Sequence, residues 1–179
     1  MGKVITTRRL EGEVEQAQNY VRSHILFPAG LLGLLLMVVG VVALIYQLIV
    51  GTYDVHTFAQ SSGLLVAGVI LGWTQTAYHK YILREHPAFF ASRKKGYSQR
   101  GSYRLKKKLP DVSLEHRGRN LVPFLYLAGI VLLLGLSGLS VSTGSLDYMA
   151  AFALPWAGFF WAKMFSWREL ARAAVHKRK

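Results

Sequence analysis

The chain has 179 residues, contains no cysteine and carries a formal net charge of +13 at pH 7. The lack of cysteine excludes disulfides, thiolate nucleophiles, iron–sulfur clusters and Cys-ligated zinc. A hydrophobic content of 52% is high for a soluble domain of this charge. A high hydrophobic content and a high positive charge are expected together in a small membrane protein that has basic polar segments.

The first polar segment, residues 1–27, is predicted to be cytoplasmic and to contain an amphipathic helix over 7–27. Apolar residues recur there at steps of four, three and four, at Leu10, Val14, Ala17 and Val21, which is a helical period. Such a helix is expected to lie on the bilayer surface or to bind a partner helix.

Four runs without Asp, Glu, Lys or Arg follow, and a helix needs about 20 apolar residues to cross the hydrocarbon core. The fourth run is long enough only if the Lys163 ammonium snorkels to the headgroups. The first run is too long for the apolar region of a signal peptide. We therefore expect spans near 28–50, 59–80, 121–142 and 147–167.

All 22 Lys and Arg residues lie within residues 1–27, 80–120 and 163–179, whereas the two short connectors hold only Asp54 and Asp147 as charged residues. Lys and Arg remain on the cytoplasmic side during insertion. The sequence therefore predicts an all-α integral membrane four-helix bundle in a bacterial inner membrane, with both termini cytoplasmic. Its parts are two tight antiparallel transmembrane hairpins (28–83 and 121–167), a basic cytoplasmic loop (84–120) and a basic tail (168–179).

Small residues recur on one face of each predicted span, and membrane helices associate through such residues because lipid is as apolar as leucine. The second span contains Gly68-x-x-x-Gly72, and the fourth contains Gly158-x-x-x-Ala162. The predicted helix-packing positions are Gly33, Gly68, Gly72, Gly135 and Gly158.

Polar residues within the spans are few, and none is a carboxylate at a span centre, which argues against a proton-coupled transporter. The most polar segment is residues 73–76, in which Gln75 is expected to bond to a neighbouring helix or to line a cavity. His24 opens the first span and His79 closes the second, so in antiparallel helices they would meet at one depth. This is where a bis-His haem or a pigment would bind, although no cofactor is predicted. No metal-ligand spacing occurs.

The basic loop has three interpretations, namely anionic phospholipid binding, docking of an acidic cytoplasmic partner, and nucleic-acid binding. The last is disfavoured, because no recognition motif accompanies the interleaved aromatic residues. The residues expected to dock a partner or lipid are Arg93, Lys94, Lys95, Arg100, Arg104, Lys106, Lys107 and Lys108.

The function expected from these features is that of a non-catalytic structural or accessory subunit of a larger membrane complex. Other membrane-protein subunits are then the expected partners. Two alternatives stay open, a small oligomeric channel or transporter lined by Gln75, and a haem- or pigment-binding subunit that uses His24 and His79. An enzyme is not expected, because no nucleophile–base or metal constellation occurs.

Overall fold

The computed structural model describes residues 16, 18–85 and 121–168, and within these residues it contains helices and no strand. The all-α prediction is therefore confirmed for this part of the chain. Four α-helices follow one another, and each begins in one of the charge-free runs, although the second and the fourth continue past the end of theirs. They are α1 (Phe27–Val50), α2 (Val55–Glu85), α3 (Leu121–Ser142) and α4 (Tyr148–Ser166).

A π-helical turn, Arg22–Leu26, precedes α1, and the N–H of Phe27 bonds to the carbonyl of Arg22. Pro28 explains this wider turn. Its ring lacks an N–H and would clash with the carbonyl of His24, four residues earlier, in a regular α-helix. Of the amphipathic helix predicted over 7–27, residues 7–15 and 17 lie outside the described residues.

The connector between α1 and α2 begins at Gly51, whose φ of 78° ends α1 with its N–H directed at the carbonyls of Gln47 and Leu48. Glycine adopts this left-handed conformation without the steric cost that a side chain adds. The Asp54 carboxylate then accepts a hydrogen bond from the N–H of Val55, at 2.6 Å. This contact helps to start α2.

The second connector is built in a similar way. Asp147 is the N-cap of α4, and its carboxylate accepts a hydrogen bond from the N–H of Met149 at 3.0 Å. Such a cap satisfies one of the N–H groups that have no partner within the helix. The hydroxyl of Thr57, at the start of α2, donates to the carbonyl of Ser145 at 2.8 Å. The two connectors therefore lie side by side.

The helices have two ends, each marked by a cluster of buried side chains. At one end, which we call the connector end, Ala43 of α1 and Leu64 of α2 pack with Leu146 of the second connector and Ala150 of α4. At the other end, which we call the Trp167 end, the cluster contains Tyr20, Val21, Ile82 and Trp167. Hence α1 runs from the Trp167 end to the connector end, and both α2 and α4 run back.

The central helix is α4, which packs extensively against both α1 and α2. Direct contact between α1 and α2 is slight, because α4 lies between them. The sequence predicted a first hairpin in which α1 and α2 pack tightly on each other. In the structure both helices pack on α4 instead. Small residues allow this enclosure of α4. Its buried residues are Ala150, Ala151, Ala153, Leu154, Pro155, Ala157, Gly158, Phe159 and Ala162.

The most peripheral helix is α3, which rests on the side formed by α2 and α4. Its buried residues are only three, Leu133, Ser137 and Ser140. Most of its apolar surface is therefore open, including Phe124 and Leu132, which are 67% and 61% exposed.

Three of the described helices are long and apolar enough to cross a membrane, namely Gln18–Val50, α2 and α3. The 19-residue α4 is not among them. It contains Lys163 and Pro155, and its five alanines and one glycine are less apolar than the leucines of α1 and α3. A helix that faces other helices needs less apolar surface than a helix that faces lipid.

Candidate functional site

The closest helix contact joins α2 to α4 through three glycines. A Cβ built on Gly68 would overlap the carbonyl oxygen of Pro155, and one on Gly72 would overlap that of Phe159. In the opposite direction, a Cβ on Gly158 would overlap the carbonyl oxygen of Leu65. This recurring geometry, with glycine backbone against carbonyl oxygen, allows weak Cα–H···O contacts between helices.

A second glycine contact joins α1 to α4. A Cβ on Gly33 would lie 3.0 Å from Cδ1 of Trp161 and 3.1 Å from Cβ of Phe160. Gly135, the fifth predicted packing position, is different, because no atom lies within 4 Å of a Cβ built there. Its neighbour Gly138 is equally open. Four of the five positions thus face α4 or α2, and the fifth lies on the open side of α3.

A groove of about 510 Å³ lies between α2 and α3 toward the Trp167 end. This volume is within the usual range of small-molecule sites. Its walls combine apolar side chains with several hydroxyl, amide and imidazole groups. They are Leu71, Thr74, Gln75, Tyr78, His79, Val122, Pro123, Leu125 and Tyr126.

Gln75 lines this groove, and its side chain forms a hydrogen bond to Tyr126 of α3. Its Oε1 atom is buried and accepts no hydrogen bond. The amide nitrogen is therefore the donor to the tyrosine hydroxyl. Thr74, beside it, donates its hydroxyl to the carbonyl of Leu71 at 2.9 Å. The Gln75–Tyr126 bond ties the peripheral helix α3 to α2.

A second groove of about 410 Å³ lies between the same two helices toward the connector end, where Gln60, Ser140 and Thr143 are among its lining residues. The two grooves are separated where Leu71 of α2 meets Gly129 of α3, and a Cβ on Gly129 would overlap Cδ1 of Leu71. The α2–α3 interface is thus polar near both ends and closed by a leucine between them.

The two histidines considered as haem ligands have different surroundings. The ring of His24 stacks on Tyr20 at 4.7 Å, and its Nδ1 lies 2.7 Å from the Ser23 hydroxyl. His79 lines the α2–α3 groove and lies beside Tyr78. Cofactor binding by this pair stays a prediction, which the absorption spectrum of the purified protein tests through a Soret or pigment band.

Lys163 of α4 lies among aromatic side chains. Its Nζ atom is 4.2 Å from the ring centre of Phe159 and 5.8 Å from that of Phe160, which are cation–π distances. The side chain therefore leans toward the connector end, away from the nearby Trp167 end. Helical side chains tilt toward the N-terminus of their helix, which explains why Lys163 does not extend toward the Trp167 end as snorkelling would require.

The predicted docking residues between Arg93 and Lys108 lie outside the described residues. Within the described residues, no group of three or more His, Asp or Glu side chains is placed to hold a metal ion. Sequence reasoning did not single out Tyr126 or the aromatic partners of Lys163. The i, i+4 spacing of Phe159 and Lys163 was the signal available for the second. No protein-family model, curated protein or solved structure matches this chain.

Proposed function

We propose that this chain is an integral membrane four-helix bundle that acts as a non-catalytic structural or accessory subunit of a larger membrane complex. The observation that carries the proposal is the open face of α3, where a Cβ built on Gly135 or Gly138 would meet no atom of another residue within 4 Å. Contact with lipid does not require small residues, whereas close helix association does. This face is thus suited to a helix from another subunit.

The proposed topology rests on the charge pattern and the positions of the helix ends. The connectors share one end, and the chain segments that lead to the basic N-terminal segment, loop and tail leave from the other. By the positive-inside rule the Trp167 end faces the cytoplasm of a bacterial inner membrane. Since the chain has no cysteine, Ser142→Cys should react with an impermeant maleimide in intact cells, and Arg168→Cys only after permeabilisation. The reverse pattern would overturn this topology.

The subunit proposal is tested by quantitative co-purification in mild detergent from native membranes. The wild type is expected to retain other membrane proteins at fixed stoichiometry, and Gly135→Leu combined with Gly138→Leu is expected to lose them. Leu132→Phe is the control, because it enlarges a side chain that is already exposed on α3. A clean wild-type monomer, or equal retention by all variants, would contradict the proposal.

The basic loop is expected to contribute to docking on an acidic cytoplasmic partner or on anionic phospholipid, which attracts each basic residue by about 1 kcal/mol near the membrane surface. Replacing Arg93, Lys94, Lys95 and Arg100 by glutamine should reduce either interaction. If the stoichiometry of the complex and the binding to phosphatidylglycerol vesicles both stay unchanged, the charge serves only to orient the chain during insertion.

A second candidate function, a small channel or transporter, is favoured by the paired grooves between α2 and α3. Thr74 and Gln75 line one of them, and Leu71 closes the interface between them. If this is a permeation path, Leu71→Ala should increase solute flux in liposomes that contain only this protein. The absence of flux in both the wild type and Leu71→Ala would remove this candidate.

A further inference from the structure

Lys163 occupies a cleft between α1 and α3 on the surface of α4. Phe159, on one side of the lysine, contacts the ring of Tyr126 in α3 at 6.3 Å. Phe160, on its other side, packs against Gly33 of α1. Since α1 and α3 make little or no direct contact with each other, the surface of α4 between them is open. Phe152 and Trp156 continue this cleft toward the connector end.

The geometry points to this Lys163 cleft as the binding site for a transmembrane helix of a partner subunit that carries an aspartate or glutamate at the depth of Phe159. The inference rests on the proposed function as a subunit of a membrane complex, and it adds the place and the chemistry of one contact. Ionisable groups within membrane helices characteristically pair with one another or mark functional sites.

The charge of Lys163 has no partner within the described part of the chain. The carboxylates of the described residues are Asp54, Glu85 and Asp147, and all three stand at helix ends. Desolvation of a cation is costly unless an opposite charge or a polarisable ring compensates for it. The rings of Phe159 and Phe160 supply part of this compensation. A second copy of the described helices would bring no carboxylate to the required depth.

The depth of the ammonium distinguishes a partner helix from a lipid headgroup. Phe159 lies seven residues before Ser166, the end of α4, which corresponds to about 10 Å along the helix. The Nζ atom lies over the Phe159 ring, so it is held below the end of α4 and not extended toward the phosphates. A carboxylate on a neighbouring helix reaches this depth, whereas a phosphate stays at the membrane surface.

The inference is tested with a synthetic transmembrane peptide of leucine and alanine that carries one glutamate about 10 Å from one end, the depth of Phe159. Its twin carries leucine at that position. Association with the labelled full chain is measured by energy transfer in phosphatidylcholine vesicles. We expect the glutamate peptide to bind the wild type about tenfold more tightly than its twin, since polar contacts between membrane helices contribute about 1–2 kcal/mol in peptides.

Two variants at one position supply the controls. Lys163→Met keeps the length of the side chain and should abolish the preference for glutamate, whereas Lys163→Arg should retain it. Equal binding of the two peptides to the wild type, or an unchanged preference in Lys163→Met, would overturn the inference. Loss of the preference when phosphatidylglycerol is added to the vesicles would also overturn it, because the site would then belong to a lipid phosphate.

Co-purification separates this inference from the proposed function. If Lys163→Met loses a partner that the wild type and Lys163→Arg retain, both are supported. If Lys163→Met retains every wild-type partner at the same stoichiometry and the wild type shows no preference for the glutamate peptide, this inference fails and the proposed function stands. A wild type that purifies without partners contradicts the proposed function itself.

Discussion

The substitution Gly68→Ala should separate α2 from α4. The added Cβ would overlap the carbonyl oxygen of Pro155, a backbone atom that cannot rotate away, so one helix must move. Overpacking costs about 1–3 kcal/mol, and alanine returns up to ~1 kcal/mol of helix propensity relative to glycine. We therefore expect the free energy of unfolding to fall by about 1–2 kcal/mol.

The assay is the loss of helical circular dichroism as the mole fraction of dodecyl sulfate rises in mixed micelles. Gly63→Ala is the matched control, because it lies on the same helix and no atom is within 4 Å of a Cβ built there. That variant should be at least as stable as the wild type, since it gains helix propensity without a clash. Equal midpoints for the two variants would refute the close approach of α2 and α4 at Gly68.

Two further substitutions probe hydrogen bonds between elements by the same titration. Tyr126→Phe removes the bond to Gln75 and should lower the unfolding free energy by about 0.6 kcal/mol, the average for such bonds in membranes. The control is Tyr46→Phe, at a side chain that is 63% exposed, and it should leave the unfolding free energy unchanged. Equal effects of the two substitutions would contradict a stabilising bond between α2 and α3. Thr57→Val removes the 2.8 Å bond to the Ser145 carbonyl and should cost about 1 kcal/mol; no change would show that this bond between the connectors contributes little.

The positions of the helices could be predicted from the sequence because they follow the distribution of charge. The predicted span 121–142 coincides with α3, and the fourth span, predicted over 147–167, differs from α4 by one residue at each end. The two aspartates of the connectors mark where helices begin, since Asp54 and Asp147 each hydrogen bond to the first turn that follows. Local chemistry of this kind is visible in a single sequence.

The partners of the helices could not be predicted in the same way. A small-residue pattern identifies a face that permits close approach, but it does not identify the helix that approaches. Gly68 and Gly135 have similar sequence surroundings, yet the first lies against α4 and the second faces open space. Likewise the sequence identified Gln75 as a polar residue in a span, while its bond to Tyr126 depends on the placement of α3.

One signal for the central position of α4 was present in the sequence. Alanine and glycine cover about half of its circumference, at positions such as Ala150, Ala151, Ala153 and Ala157, all buried. A helix with such a broad arc of small residues has neighbours on several sides, whereas a helix such as α3 with one small face has fewer. The fold of this chain is therefore better read from the spread of small residues around each helix than from single motifs.

The position of α4 between α1 and α2 has a consequence for biogenesis. In the membrane bundle proposed above, α1 and α2 would enter the membrane before the ribosome has made α4. Both helices pack mainly against α4 and make little contact with each other. At that stage they would therefore form a loosely associated pair with their glycines facing lipid. Compaction of the bundle is a late step, so nascent chains stalled before Tyr148 should be the species most exposed to quality-control proteases.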